Sequence, residues 1–243
     1  MHSHVGMKNL FIVQTKNISE MKHGQQSIVE KKRIKEIIER CEGDSILDVG
    51  CVATQLGNLK ENIKSNLWLH EELTKKSRKV IGIDILKKEI QEIKKMGYDV
   101  RYGSAEDFKL NEKFDTIVAG ELIEHLSNPG KFLDTCWNHL KEEGTLILTT
   151  PNPFWFEYSS RFFLRKLCVH PEHTAWYDKS VLAALAERHH FEVVEVKYII
   201  EIYNPGSCKG FMYHKIIFPI LVKILREELT AETILVVFKK KLS

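Results

Sequence analysis

SILDVGCVATQLG, residues 45–57, is the stretch that decides the fold. Ser45 to Val49 is a short apolar run around a single acid, Asp48, and it stops at Gly50. An apolar run of this length bounded by turn residues reads as a buried strand. Upstream, Ile28, Ile34, Ile37 and Ile38 recur among charges between Gln25 and Arg40, which predicts an amphipathic helix. The turn Cys41-Glu-Gly-Asp44 joins helix to strand. Downstream, residues 55–77 are charge-rich, with Leu59, Ile63, Leu67, Leu69 and Leu73 at inward helical positions.

The same rhythm continues. Lys79 to Ile85 (KVIGIDI) is a second strand ending in an acid, and Lys87 to Met96 a helix. Tyr98–Tyr102 and Phe114–Ala119 are the third and fourth strands, Pro129–Leu140 a helix and Gly144–Thr150 the fifth strand. Lys179–Arg188 is a helix, with strands at Phe191–Ile199 and Glu232–Lys240. Alternating strands and helices imply right-handed crossovers and a parallel sheet covered on both faces. The expected fold is therefore α/β: a seven-stranded, mostly parallel, doubly wound sheet. The last two strands lack an intervening helix of clear pattern, so an antiparallel last strand is expected. Residues 1–24 read as an N-terminal extension, with Met7 the expected true start, and 25–243 as one domain. Residues 151–178 and 200–231 read as insertions in it.

Composition narrows the function. The 243 residues carry 36 Lys+Arg against 33 Asp+Glu, a net charge of +3, too small for a nucleic-acid binder. Five cysteines without a CxxC pair disfavour a disulfide framework or a zinc knuckle and fit a reducing, cytoplasmic setting. No apolar stretch approaches the ~20 residues of a membrane span.

In an open sheet of this kind ligands bind beyond the carboxyl ends of the strands, at the switch in strand order. Small and acidic residues crowd five such ends: Asp48-Val-Gly50, Asp84-Ile85, Gly103-Ser-Ala-Glu-Asp107, Gly120-Glu-Leu-Ile-Glu-His125 and Thr149-Thr-Pro-Asn-Pro153. A glycine turn admits a ligand close to the backbone, and a carboxylate can accept from both hydroxyls of a ribose. Neither GxGxxG nor GxxxxGK[ST] occurs. A nucleoside cofactor without a pyrophosphate remains.

ILDVGC at 46–51, VIGIDI at 80–85, GSAEDF at 103–108, FDTIVAGELIEHL at 114–126 and GTLILTTPNP at 144–153 together resemble the Rossmann-like S-adenosylmethionine (SAM)-dependent methyltransferases. The small-molecule type, similar to ubiquinone-pathway O-methyltransferases, is the nearer likeness. The resemblance implies SAM as cofactor. It implies Asp48 and Gly50 beside its methionine part, Cys51 among the cofactor-binding residues, Asp84 on the ribose hydroxyls and Ile85 on the adenine. Ser104, Ala105 and Glu106 would edge the adenine, and Gly120 to Leu122 would close the pocket beside the sulfonium. Cys51 otherwise reads as a packing residue and not as a nucleophile.

Two departures stand out. Val52 and Thr54 occupy positions where the family usually has glycines, and a β-branched residue tolerates positive φ badly. The alternative function is therefore a non-catalytic scaffold with an impaired cofactor loop. Ser104 stands where an aspartate is common, with Glu106 as a substitute acceptor for the adenine amino group.

Glu121, Glu124 and His125 form an ExxEH string that resembles both the ubiquinone-pathway enzymes and the small-RNA 3′-end methyltransferases. In the latter, such residues with a downstream histidine hold a divalent metal, which His170 or His173 would supply here. The reading adopted is metal-free, with Glu124 and His125 a fixed hydrogen-bonded pair lining the pocket. Asp84 has a second reading too, as the cap of the helix starting at Lys87.

Residues 151–178 contain eight of the 23 aromatics, including Phe154, Trp155, Tyr158, Phe162, Phe163, Trp176 and Tyr177, which suggests an aromatic lid or substrate wall. The expected activity is transfer of a methyl group to a small-molecule hydroxyl. His125 is the first choice of base, His173 the second, and Tyr177 a positioning residue. Phe211–Leu225 is apolar but broken by Lys215, Pro219 and Lys223. It reads as packed against the body, with a peripheral membrane contact or a homodimer contact as alternatives.

Overall fold

The computed structural model describes residues 23–52, 63, 67–156, 158, 170–200, 220 and 223–241. Seven strands form one sheet: β1 (Ser45–Val49), β2 (Lys79–Asp84), β3 (Val100–Tyr102), β4 (Phe114–Gly120), β5 (Leu140–Pro151), β6 (Phe191–Ile199) and β7 (Thr233–Lys240). Their order is β3-β2-β1-β4-β5-β7-β6. The first five pair parallel, and β7 runs antiparallel to both β5 and β6. The strand order reverses between β1 and β4, which places the switch point where the sequence put the chemistry.

The helices are α1 (His23–Arg40), α2 (Leu69–Lys76), α3 (Lys87–Lys95), α4 (Pro129–His139), α5 (Lys179–Arg188) and α6 (Glu227–Thr230), with a 3₁₀ turn at Ile123–His125. Their amphipathic patterns explain which faces are covered. Ile90 and Ile93 of α3 pack with Cys51, Val52, Trp68 and Val100 on one flank of the sheet. Ile37 of α1 and Leu73 of α2 pack on Ile46, Val118, Ile147 and Leu235. Phe132, Leu133 and Cys136 of α4 meet Leu182 and Ala186 of α5 over the largest cluster. Local chemistry sets the helix ends. Asn128 caps α4 by accepting from Lys131 N at 3.0 Å, ahead of Pro129 at the first helical position. Asp178 caps α5 by accepting from Ser180 N and Val181 N.

Several expected boundaries move, most of them by one or two residues. β3 starts at Val100 instead of Tyr98. β5 starts at Leu140, without a loop after α4, because Leu140 pairs with Phe114 and a register shift follows before Thr116 meets Thr145. Lys141, Glu142 and Glu143 are exposed and lack the apolar alternation that would have marked them as strand. Of the helix expected over 55–77, Leu69–Lys76 and Ile63 are described and helical. Among the described residues no helix is long and apolar enough to cross a membrane. Thr54, Phe162, Phe163 and all of 211–225 except Ile220 and the last three residues lie outside the described residues.

Candidate active site

The site is built from the tips of β1, β2 and β4. Gly50 ends β1 with φ +78°, and its N–H donates to Ile83 O at 2.8 Å. A side chain there would be strained, and its Cβ would meet Leu122 Cδ1 at 3.0 Å. So Gly50 and Leu122, both expected at the cofactor, do face each other.

Asp84 sits at the end of β2, nearly buried. Its Oδ2 accepts from Val52 N at 2.9 Å and its Oδ1 from Leu86 N at 3.0 Å. Burial pushes its pKa up, and these N–H groups pull against that shift. The carboxylate thus ties the turn after β1 to β2 and also serves the start of α3. It is not the helix cap expected of it: Leu86 is the N-cap of α3 and no side chain caps it, while each Asp84 oxygen keeps a second lone pair. Beside it Ile85 is 63% exposed, an apolar face open to a planar ligand.

Val52 answers its share of the concern about the first loop, whereas Thr54 lies outside the described residues. The Val52 side chain is buried among Trp68, Ile90 and Ile93, and Val52 is not among the residues with positive φ. The bulk points into the core and only the N–H faces Asp84. Cys51 is buried next to it, its thiol pushed well up by burial and by the charges of Asp48 and Asp84. It is a packing residue whose carbonyl accepts from Trp68 Nε1 at 2.8 Å.

Asp48 is 1% exposed and receives the Nδ1–H of His70 at 3.0 Å. His70, fully buried against Trp68 and Tyr98, leaves its Nε2 without a hydrogen-bond partner. Sequence reading missed His70. Its signal was the i, i+3 step to Leu73 on the inward face of a helix.

Ser104 Oγ accepts from Glu106 N at 3.2 Å, and Ala105 is buried in the core. Glu106 Oε1 accepts from Ser127 N at 2.9 Å and Asn128 N at 2.8 Å. Glu106 therefore braces the segment after β4 with that oxygen.

The tip of β4 is unusual. Gly120 abuts Leu69, and Glu121 holds φ +53°, left-handed for a non-glycine residue. Thr149 holds Glu121 in place, its carbonyl accepting from Glu121 N at 3.0 Å and its Oγ1 at 3.2 Å. Arg33 of α1 reaches Glu121 at 3.4 Å, a contact the sequence did not announce. Glu124 is buried, with Oε2 accepting from Thr150 Oγ1 at 3.0 Å and Oε1 lacking a partner. Burial, then the charge of Glu121, pushes its pKa up to about 8.

The expected Glu124–His125 pair is not formed. Glu124 turns into the core toward Thr150, whereas His125 faces outward, its Nδ1 3.3 Å from Glu172 O. His125 instead joins His170 and His173, with ring centroids 4.8–5.9 Å apart. Thr174 staples this segment in place: its N–H donates to Glu124 O at 2.8 Å and its hydroxyl reaches Leu126 O at 2.8 Å. His173 is held neutral, its pKa lowered to about 4 by burial and by the other two imidazoles. The mixed set of two carboxylates and two imidazoles suggested for a metal is not assembled. Its carboxylates are engaged by Thr150 and Arg33, and among the described residues neither groups with the imidazoles as a candidate ligand.

Tyr177 is buried in the main core cluster, its hydroxyl pKa raised by burial and then by the charge of Glu124. Trp155, Tyr158, Trp176 and His173 form an edge-to-face chain with centroid spacings of 5.1, 5.3 and 6.2 Å. A separate cleft of about 520 Å³ lies between Phe154, Lys179, Tyr198 and Glu228.

The residues present fit an adenosine-bearing cofactor: a glycine where a Cβ would crowd, a carboxylate with spare lone pairs, and an exposed apolar neighbour. Comparison with known proteins agrees. A family model described as "Methyltransferase domain" matches residues 23–196. The chain is 30% identical over 158 residues to a ubiquinone biosynthesis O-methyltransferase of Nitrobacter winogradskyi, covering 60% of this chain and 54% of that protein. The same kind of enzyme from Rhodopseudomonas palustris is 30% identical, with 61% and 56% covered. The chain thus spans about half the length of these curated relatives. Among solved structures, a SAM-dependent methyltransferase from Archaeoglobus fulgidus shares the fold with a TM-score of 0.60 at 18% identity, covering 87% of this chain and 93% of that one. Magnesium protoporphyrin IX methyltransferase of Synechocystis, solved with bound SAH, aligns with a TM-score of 0.58 at 11% identity, covering 96% and 95%. Matched by a family model over well more than half its length and sharing the fold of solved members, the chain belongs to the SAM-dependent methyltransferases.

Proposed function

We propose that this methyltransferase acts on a hydroxyl oxygen of a small molecule. The observation that carries this reading is the group of imidazoles at the tip of β4, where His125 lies 4.8 Å, centroid to centroid, from His173, whose burial keeps it neutral and makes it the weaker base of the two choices. An amine acceptor with a free lone pair needs no such base, whereas a hydroxyl does. The two curated relatives described above are named as O-methyltransferases, which is compatible with it. Near-neutral net charge favours a small molecule over a nucleic acid.

SAM, when bound, supplies a methyl group already activated on its sulfonium. The protein's own residues do the rest by binding and alignment. Asp84 would accept from the ribose hydroxyls, Ile85 would lie on the adenine, and Ser104 and Ala105 would edge it. Gly50, Leu122 and Gly120 would leave room at the methionine end, with Asp48 a positioning residue held by His70. His125 would take the acceptor's hydroxyl proton, with His173 beside it, while Tyr177 and the aromatic chain exclude water.

The test has two arms. Saturating SAM should raise the melting temperature, since ligand at 100 times Kd adds about 2.7 kcal/mol. Methyl-labelled SAM offered with panels of phenols, alcohols and amines should label oxygen. A flat melting curve at millimolar SAM, or label on nitrogen alone, would overturn the proposal.

A further inference from the structure

The cleft of about 520 Å³ opens between the start of α5, the end of β6 and α6, away from the tips of β1, β2 and β4. We propose that it binds a flat aromatic molecule carrying a carboxylate, at a site separate from the one that holds SAM. Its size is that of a small-molecule pocket.

A buried amide ties its walls together. Asn152 is fully buried, with Nδ2 donating to Glu228 O at 2.7 Å and to Ala231 O at 2.8 Å, while Oδ1 accepts from Phe154 N at 3.1 Å. Phe154 and Leu229 nevertheless keep exposed side chains, and they line the cleft together with the half-buried Tyr198. Apolar and aromatic surface of this kind is covered best by a planar ring.

The charges select the sign of the ligand. Asp178, Lys179, Arg226 and Glu228 all line the cleft. Both carboxylates are already in use: Asp178 accepts from Ser180 N and Val181 N, and Glu228 Oε1 accepts from Lys179 Nζ at 2.9 Å. That last bond raises the pKa of Lys179 and lowers that of Glu228, so both stay charged. Arg226 makes no ion pair among the described residues, and its guanidinium is exposed. Lys179 has two further protons to donate, its ammonium standing 6.0 Å from the centre of the Tyr198 ring. An anion therefore finds unused donors, whereas a cation finds only carboxylates that are spoken for. The guanidinium fork matches a carboxylate with two parallel bonds. A bare oxyanion would leave Phe154, Tyr198 and Leu229 uncovered.

β5 and β6 both run antiparallel to β7, so Asn152 and Tyr198 lie at the same end of the sheet as the tip of β4. Asn152 follows Thr149 and Thr150, whose side chains hold Glu121 and Glu124. A molecule in the cleft thus rests on the strand end that also supports that tip.

The experiment is a calorimetric titration of the full-length chain with 1-naphthoate, with 1-naphthamide as the uncharged counterpart and inorganic phosphate as the bare anion. Wild type should take up one equivalent of naphthoate and bind the other two at least tenfold more weakly. Arg226→Gln should lose roughly tenfold in naphthoate affinity, and Phe154→Ala should weaken it as well. Lys94→Gln, on α3 near the opposite edge of the sheet, should bind like wild type. Arg226 and Phe154 are exposed, so these variants keep the fold, which circular dichroism checks. Saturating adenosylhomocysteine should not displace naphthoate. No saturable naphthoate binding, equal affinity for the amide or for phosphate, unchanged affinity in Arg226→Gln or Phe154→Ala, or displacement by adenosylhomocysteine would each overturn the proposal.

Discussion

Gly82 offers the sharpest test of how the sheet supports the site. It lies in β2 opposite Asp48 of β1 and Val100 of β3, with no room above it. A methyl group at that Cα would stand 2.6 Å from Cys51 Sγ, 2.8 Å from Val100 Cγ1 and 2.9 Å from His70 Cε1. All three neighbours are buried, and none is the loose end of a flexible chain. Inserting one methyl into such packing costs about 1–3 kcal/mol. In a chain of this size each kcal/mol lowers the melting temperature by roughly 2–4 °C. Two of the displaced groups matter beyond stability. Cys51 adjoins the Val52 N–H that binds Asp84, and His70 holds Asp48. Gly82→Ala should therefore also weaken SAM binding. Gly97→Ala is the control, because its site is open and only its φ of +97° is strained. It should cost about 1–2 kcal/mol and leave SAM affinity unchanged. Urea unfolding followed by circular dichroism gives the first number and calorimetric SAM titration the second. If Gly82→Ala unfolds at the wild-type midpoint, or binds SAM as tightly as Gly97→Ala, the packing argument is wrong.

Other perturbations probe single contacts. His70→Phe leaves Asp48 a buried, unpaired carboxylate and should cost about 3–5 kcal/mol in chemical denaturation. Adding Asp48→Asn should restore part of that loss, and strict additivity would count against the pairing. Asp84→Asn should weaken SAM binding tenfold or more by calorimetry while retaining one acceptor for the backbone. Undiminished affinity removes Asp84 from the ribose. Glu124 carries a pH signature. Its folded pKa of about 8 lies above the usual 4.5, so the stability it lends is complete below pH 4.5 and is lost as pH rises toward 8. That loss is at most about 5 kcal/mol. In chelator-treated protein Glu124→Gln should flatten the unfolding profile across that window, and parallel profiles for the two proteins would refute the assignment.

Much of the architecture was legible because its signals are local. The runs at 45–49, 79–84 and 114–120 are mostly apolar, and an acid or a glycine ends or directly follows each. A buried parallel strand needs that composition, and a strand-end site needs those residues. The antiparallel β7 was readable from the missing helix pattern before it. Less local facts were hidden. Nothing in the spacing told that Val52 would turn its side chain inward and offer only its N–H to Asp84. His70, from a helix 22 residues after Asp48, pairs with it only once α2 docks on the sheet. Glu106 looked like an adenine contact, and the spacing gave no sign that the chain after the 3₁₀ turn also returns to claim one of its carboxylate oxygens. The Glu124–His125 pair was expected from adjacency. Adjacent residues point different ways, and the left-handed Glu121 sets the turn so that one enters the core and the other leaves it.

The placement of β7 bears on how the molecule is made. Its neighbour β5 ends at Pro151 and it begins at Thr233, so the two pair only after some eighty further residues have been synthesised. Until then β5 has an open edge, and β6 has no place in the sheet at all. A growing chain therefore presents two bare strand edges and a half-built core, the kind of surface that invites association with other chains. Ile234, Leu235, Val236 and Phe238 seal both at once. Chaperone demand during synthesis should concentrate in that interval and end abruptly when those four side chains arrive.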